Sequence, residues 1–232
     1  MFFMLLGEGL KINYMSPYLE SSAPNFTHGV NFAVTGGATD PTVTFPLSTQ
    51  VLQFLHFKNR TRELWPQGIS PLVLSHKHSM FHSLELISGA GSLIDENGFK
   101  EAVYSFDIGQ NDISIAFTAN LSYTQVIERI PSILSRIKDA LKTIYENGGT
   151  KLWVYNTGPL GCLPQTLALR KQNDSKIDEN GCLADYNDAA KVFNAGLLSL
   201  CDQLNSEFKN ATIVYTDLFA IKYDLIANHT QY

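Results

Sequence analysis

An apolar run that ends in an asparagine-bearing turn is the first place in this chain where chemistry could be done. The segment FDIGQND, Phe106 to Asp112, follows AVYSF, Ala102 to Phe106, whose β-branched and aromatic residues read as a strand with at least one buried face. In α/β proteins, ligands settle in the loops beyond the carboxyl ends of parallel strands, so the Asn111 side-chain amide would be a positioned hydrogen-bond donor in such a loop. The simpler reading is that Gly109 and Asn111 only shape the turn, since both tolerate backbone angles that other residues avoid. Two more segments carry similar punctuation: TGGATD after GVNFAV (Gly29 to Val34), and TGPLGCLP after KLWVYN (Lys151 to Asn156). If all three follow parallel strands, then Gly36 and Gly37, Gly109 to Asp112, and Asn156 to Gly161 converge on one carboxyl edge of a sheet.

The elements that must position these turns show in the hydrophobic pattern. From Tyr123 onward, Val126, Ile130, Ile133, Ile137, Leu141 and Ile144 recur at three- and four-residue steps, the period of an amphipathic helix. Ser122 and Gln125 form a capping box at its start, Asn147-Gly148-Gly149 stops it, and Pro131 is expected to kink or restart it. A second stripe runs through Tyr186, Ala190, Phe193, Leu197, Leu200, Leu204 and Phe208. TIVYTD (Thr212 to Asp217) reads as a strand and LFAIKYDLIAN as a final helix. Strands alternating with helices in this way argue for βαβ units and a parallel sheet covered on both faces.

Composition sets outer bounds. With 232 residues, 44% hydrophobic and 17% charged, the chain can bury a sizeable core, and a single domain over residues 1–232 is the default expectation. A net charge of -5 and the absence of a Lys/Arg cluster argue against a nucleic-acid partner. No run approaches the roughly 20 apolar residues of a membrane span, and the opening MFFMLLGEGL is too short in its apolar part, with no basic residue before it, for a secretory signal.

Other features point toward the secretory route. Asn-x-Ser/Thr acceptor sequences stand at Asn25, Asn59, Asn120, Asn173, Asn210 and Asn228, although chance alone produces such matches in a chain rich in Asn, Ser and Thr. Cys162 and Cys182, each preceded by glycine, bracket a polar loop in the manner of a disulfide, the alternative being two unrelated thiols. Cys201, on an apolar helix position, reads as a small buried hydrophobe. His76, His78 and His82 are close in sequence, but no acidic or cysteine ligand accompanies them in a metal-binding pattern, so no metal is expected. Their segment, residues 66–86, reads as a surface insertion.

Taken in order, GVNFAVTGGATD, FDIGQND, NTGPLGCLP with the later GC, and IKYDLIAN resemble successive signature segments of the plant GDSL esterase/lipase family, a branch of the SGNH hydrolases. The resemblance covers nearly the whole chain. It implies a three-layer α/β/α sandwich with a mainly parallel sheet, hydrolysis of carboxylic esters by a serine nucleophile, a small-molecule or lipid ester substrate, no cofactor, and an extracellular location. It also assigns Asn111 as an oxyanion-hole donor, together with a backbone N–H from Gly36 or Gly37; counting from Asn31 selects Gly36, and counting back from Ala38-Thr39 selects Gly37.

The sequence departs from the family where the nucleophile and base belong. It contains neither Gly-Asp-Ser nor an Asp-x-x-His. In family terms the sandwich is expected to be incomplete at both ends, and the chain on its own to be inactive, because a polarised carbonyl without nucleophile and base does not undergo acyl transfer. His28, His56, His229, Ser48 and Ser114 show no triad spacing and are read as surface or packing residues.

Overall fold

The computed structural model describes residues 15–22, 24–64, 93–169 and 176–231. The chain divides into two compact units, Met1–Ala33 with Gln50–Ala102, and Val34–Thr49 with Val103–Tyr232. Segment 66–86, expected from the sequence to be a surface insertion, lies with its histidines outside the described residues.

In the first unit β1 (Ser16–Pro17) and β2 (Val30–Asn31) pair in parallel. The strand expected over Gly29 to Val34 is regular only at these two residues, because the Asn31 side chain turns back to accept a hydrogen bond from the Ala33 N–H at 2.9 Å. Helix α1 (Leu47–Leu64) and the short α2 (Glu96–Glu101) complete this part of the chain. Aromatic rings hold the unit together. Phe57 meets Phe26 edge-on at 5.1 Å and Phe99 at 6.0 Å, while Phe32 lies 6.1 Å from both Phe54 and Phe57. Such T-shaped pairs add about 0.5–1.5 kcal/mol each beyond the area they bury.

The second unit carries a three-stranded sheet. Strands β3 (Val103–Asp107), β4 (Lys151–Tyr155) and β5 (Thr212–Thr216) run parallel in the order β3-β4-β5. Asp107, Tyr155 and Thr216 are register partners, so the three carboxyl ends finish level. Helices α3 (Gln110–Thr118), α4 (Tyr123–Glu146), α5 (Pro164–Ala168), α6 (Ala184–Glu207) and α7 (Leu218–Ala227) connect and cover them. The result is a mixed α/β fold of parallel sheets with helices on both sides.

The two long helices are built as their periodicity dictates. Val126, Ile130, Ile133, Ile137, Leu141 and Ile144 are all buried along α4, and both hydrogen bonds of the Ser122–Gln125 capping box are present. Pro131 lies inside this helix without dividing it. It sits on the exposed side, where water can replace the donor it lacks. Along α6, Ala190, Phe193, Leu197, Leu200 and Leu204 are buried against the sheet side, with Cys201 also buried. Each fully buried side chain of Leu, Ile or Phe size contributes about 1.5–3 kcal/mol relative to exposure.

One element was not expected. Asn111 does not lie in a loop but is the second residue of α3, which begins two residues after β3 ends. Gly109 makes the abrupt entry feasible. It caps the helix with φ of 110°, a left-handed conformation that glycine adopts without strain. It is also packed under a ring: a Cβ there would stand 2.4 Å from Phe193 Cζ. Gly109→Ala should therefore strain the backbone by about 1–3 kcal/mol and displace the Phe193 ring. A lower urea midpoint with unchanged slope is the expected measurement.

Candidate functional site

The turn after β3 and the loop TGGATD meet through two adjacent side chains. Asn111 Nδ2 donates to the Gly37 carbonyl oxygen at 2.8 Å. The neighbouring Asp112, buried at 9% exposure, accepts from the Thr39 N–H at 2.9 Å, the Thr39 hydroxyl at 2.6 Å and the Asp40 N–H at 3.2 Å. Sequence reasoning treated Asp112 only as part of a turn. Its burial opposite two consecutive backbone N–H groups makes it the group that fixes the loop.

Gly36 and Gly37 differ in what their backbone does. Gly37 is buried, and its N–H donates to the Val34 carbonyl at 3.0 Å. Gly36 is exposed with φ of 78°, and a Cβ there would meet nothing within 4 Å. Among the described residues its N–H has no hydrogen-bond partner.

The third segment is held by asparagine side chains that complete buried backbone. Asn156 Nδ2 donates to Asp217 Oδ1 at 2.7 Å and to the Tyr215 hydroxyl at 2.9 Å, while its Oδ1 accepts from the Phe219 N–H. Asn194 on α6 closes a two-way pair with the Thr157 N–H and carbonyl. Asn187 Oδ1 accepts from the Gly161 N–H at 2.8 Å. These bonds fix Asn156 to Gly161 at the end of β4, where irregular backbone is buried and must find partners.

Cys162 and Cys182 are joined by a disulfide with a Cα separation of 4.5 Å, and Cys201 is free and buried. Burial first, and the Asp202 charge second, push the Cys201 thiol up to about 12, which makes it inert. Beside the disulfide, Asp178 accepts from the N–H groups of Asn180 and Cys182, the Asn187 amide and the Tyr223 hydroxyl. Burial alone would raise its pKa. The hydrogen bonds outweigh that and leave the carboxyl below the usual range.

The remaining candidates do not assemble. His28, His56 and His229 are exposed, and neither Ser48 nor Ser114 is hydrogen-bonded to a histidine. Among the described residues no group of three or more His, Cys, Asp or Glu could hold a metal, and no helix is long and apolar enough to cross a membrane. Of the acceptor asparagines, Asn25, Asn59, Asn120 and Asn210 are exposed, Asn228 is partly covered, and Asn173 lies outside the described residues.

A strand, a glycine-capped helix bearing Asn-Asp and a glycine loop latched to it meet at one sheet edge, and comparison with known proteins gives the family. The family model for GDSL-like lipase/acylhydrolase matches residues 5–230. From Arabidopsis thaliana, GDSL esterase/lipase At3g62280 is 49% identical over 97% of this chain and 56% of its own length. GDSL esterase/lipase At1g09390 is 47% identical over 98% of this chain, and GDSL esterase/lipase LIP-4 is 44% identical over 98%, each again over 56% of its own length. The chain belongs to the GDSL-like lipase/acylhydrolase family, and it spans about half the length of the curated relatives it matches.

Two outcomes follow from this geometry. Asp112→Asn keeps the shape but turns an acceptor-only group into one whose NH2 faces N–H donors, so it should cost about 1.5–3 kcal/mol. Hydrogen exchange at Thr39 and Asp40 should accelerate more than in the core of α4. Asp178 has a folded pKa below its unfolded value, so its contribution to stability is present above pH ~3.9 and lost as pH falls through the folded pKa. Asp178→Asn should flatten that acid limb in urea titrations repeated between pH 2 and pH 6.

Proposed function

We propose that this chain supplies the carbonyl-polarising part of a GDSL-type carboxylic-ester hydrolase, with the Asn111 side-chain amide and the Gly36 N–H as the two donors. The carrying observation is the 2.8 Å bond from Asn111 Nδ2 to the Gly37 carbonyl. It engages one amide hydrogen, leaves the other for a ligand, and fixes the amide before charge develops on the substrate. Donors fixed in this way are worth about 100- to 1000-fold each in kcat. Gly36 is favoured over Gly37 because the Gly37 N–H already donates to the Val34 carbonyl, whereas the Gly36 N–H has no hydrogen-bond partner among the described residues.

The substrate class is a small-molecule or lipid ester. Covalent acyl transfer needs a nucleophile and its base, and these residues contain neither Gly-Asp-Ser nor Asp-x-x-His. This chain by itself therefore polarises an ester carbonyl without cleaving the ester. A secretory setting suits the disulfide and the exposed acceptor asparagines, Asn25, Asn59, Asn120 and Asn210.

An anionic tetrahedral phosphonate monoester tests the donor pair directly. In the 15N-labelled chain it should shift the Gly36 N–H and the Asn111 side-chain resonances together and leave the Gly37 N–H nearly unmoved. A reactive fluorophosphonate should give no stoichiometric serine adduct. Shifts confined to other residues, or an adduct at one serine abolished by replacing one histidine, would overturn the assignment.

A further inference from the structure

The loop between β1 and β2 brings the two chemical groups of one acceptor sequence, Asn25-Phe26-Thr27, into contact. Asn25 Oδ1 accepts from the Thr27 N–H at 3.0 Å and from the Thr27 hydroxyl at 2.6 Å. A backbone N–H can only donate, so the side-chain atom facing it is the amide oxygen, and Nδ2 is turned the other way. Among the described residues Asn25 Nδ2 donates to nothing. The triplet is pinned on both sides. The Asn25 N–H donates to Ser16 Oγ at 3.1 Å, and the Phe26 ring is buried against Phe57 at 5.1 Å. With Phe26 taken into the core, Asn25 and Thr27 both stay exposed.

The other described acceptor sequences lack this arrangement, each for its own reason. Asn59 lies in α1, where residues two apart do not share a helix face, and Thr61 is buried at 3% exposure. The Ser122 hydroxyl that Asn120 needs is held by Gln125 in the capping box. Asn228 Nδ2 donates to Asp224 Oδ1 at 2.7 Å. Asn210 and Thr212 are both exposed, but no hydrogen bond joins them, and Thr212 is held in β5 with its N–H on the Thr150 carbonyl. Helices and turns form within about 10 μs, whereas a chain emerges at roughly 5–20 residues per second. Such local structure therefore competes with modification even during synthesis.

We infer that Asn25 is an N-glycosylation site, preferred over the other described acceptors, which takes a saccharide from a lipid-linked saccharide diphosphate. Transfer joins Nδ2 to the anomeric carbon and breaks that carbon's bond to the diphosphate oxygen. The diphosphate leaves with the electron pair, and a base of the transferase takes the displaced amide proton. The exposed Thr27 hydroxyl keeps its oxygen lone pairs for the transferase. The site lies in the first unit and owes nothing to the role proposed for Asn111. It needs only passage through a secretory compartment, the setting that the disulfide suits.

Translating the full chain behind a cleavable leader into endoplasmic-reticulum microsomes supplies that setting. Peptide N-glycanase in oxygen-18 water then converts each glycosylated asparagine to a labelled aspartate, which peptide mass mapping counts site by site. Asn25 should be occupied in most molecules, and Asn59, Asn120, Asn210 and Asn228 each several-fold less. Gln125→Ala releases the Ser122 hydroxyl and leaves every acceptor sequence intact. It should raise occupancy at Asn120 several-fold and leave Asn25 unchanged. Occupancy at Asn25 no higher than at any one of the other four, or an Asn120 signal unmoved by Gln125→Ala, would overturn the preference. Neither result bears on the phosphonate experiment, so this site and the carbonyl-polarising role stand or fall separately.

Discussion

The carboxylate of Asp112 is the constraint on which the junction of the TGGATD loop with α3 depends. Without it, the one hydrogen bond left among the described residues between the loop from Thr35 to Asp40 and α3 would be that from Asn111 to Gly37. Asp112 adds bonds to Thr39 and Asp40 in a place almost closed to water. A charged acceptor is strongest there, because the low local dielectric strengthens each bond and makes its loss costly. It also stands in the first turn of α3, where negative charge complements the helix dipole. Asn111 and Asp112 therefore tie the same loop to one helix start, one by donating to Gly37 and the other by accepting from Thr39 and Asp40.

The same economy recurs beyond β4. Asn156, Asn187 and Asn194 each use a side-chain amide to complete backbone that has left regular structure. A sheet edge that carries chemistry needs irregular chain close to the core, and irregular chain leaves donors and acceptors unpaired. Amides of the right length fill that need while staying neutral, so they add rigidity without altering the charge felt at the edge.

Much of this architecture was legible because it repeats. The buried stripe of α4, its capping box, the stripe of α6 and the three strands of the second unit all follow from periodicity and turn residues. Helix α3 was hidden because Gly-Gln-Asn-Asp has the composition of a turn, and only the positive φ of Gly109 reveals that it opens a helix instead. Asp112 was hidden because a carboxylate in sequence shows its charge but not its burial. The difference between Gly36 and Gly37 could not be read either, since the Gly37 N–H bonds to the Val34 carbonyl through folding rather than spacing.

The Cys162–Cys182 bond has a consequence for how this protein tolerates damage. It encloses a stretch of 20 residues in sequence separation, a polar loop on the way from the β4 edge to α6. A protease that cuts inside that stretch separates the chain in sequence but not in covalent structure. The two pieces stay fastened at the point where Asn187 and Asp178 also grip the loop. In an oxidising compartment such a nicked molecule persists as one species, a single band on a gel without reductant and two bands with it. The loop is thereby freed to vary in sequence and to be cut, without endangering the sheet edge behind it.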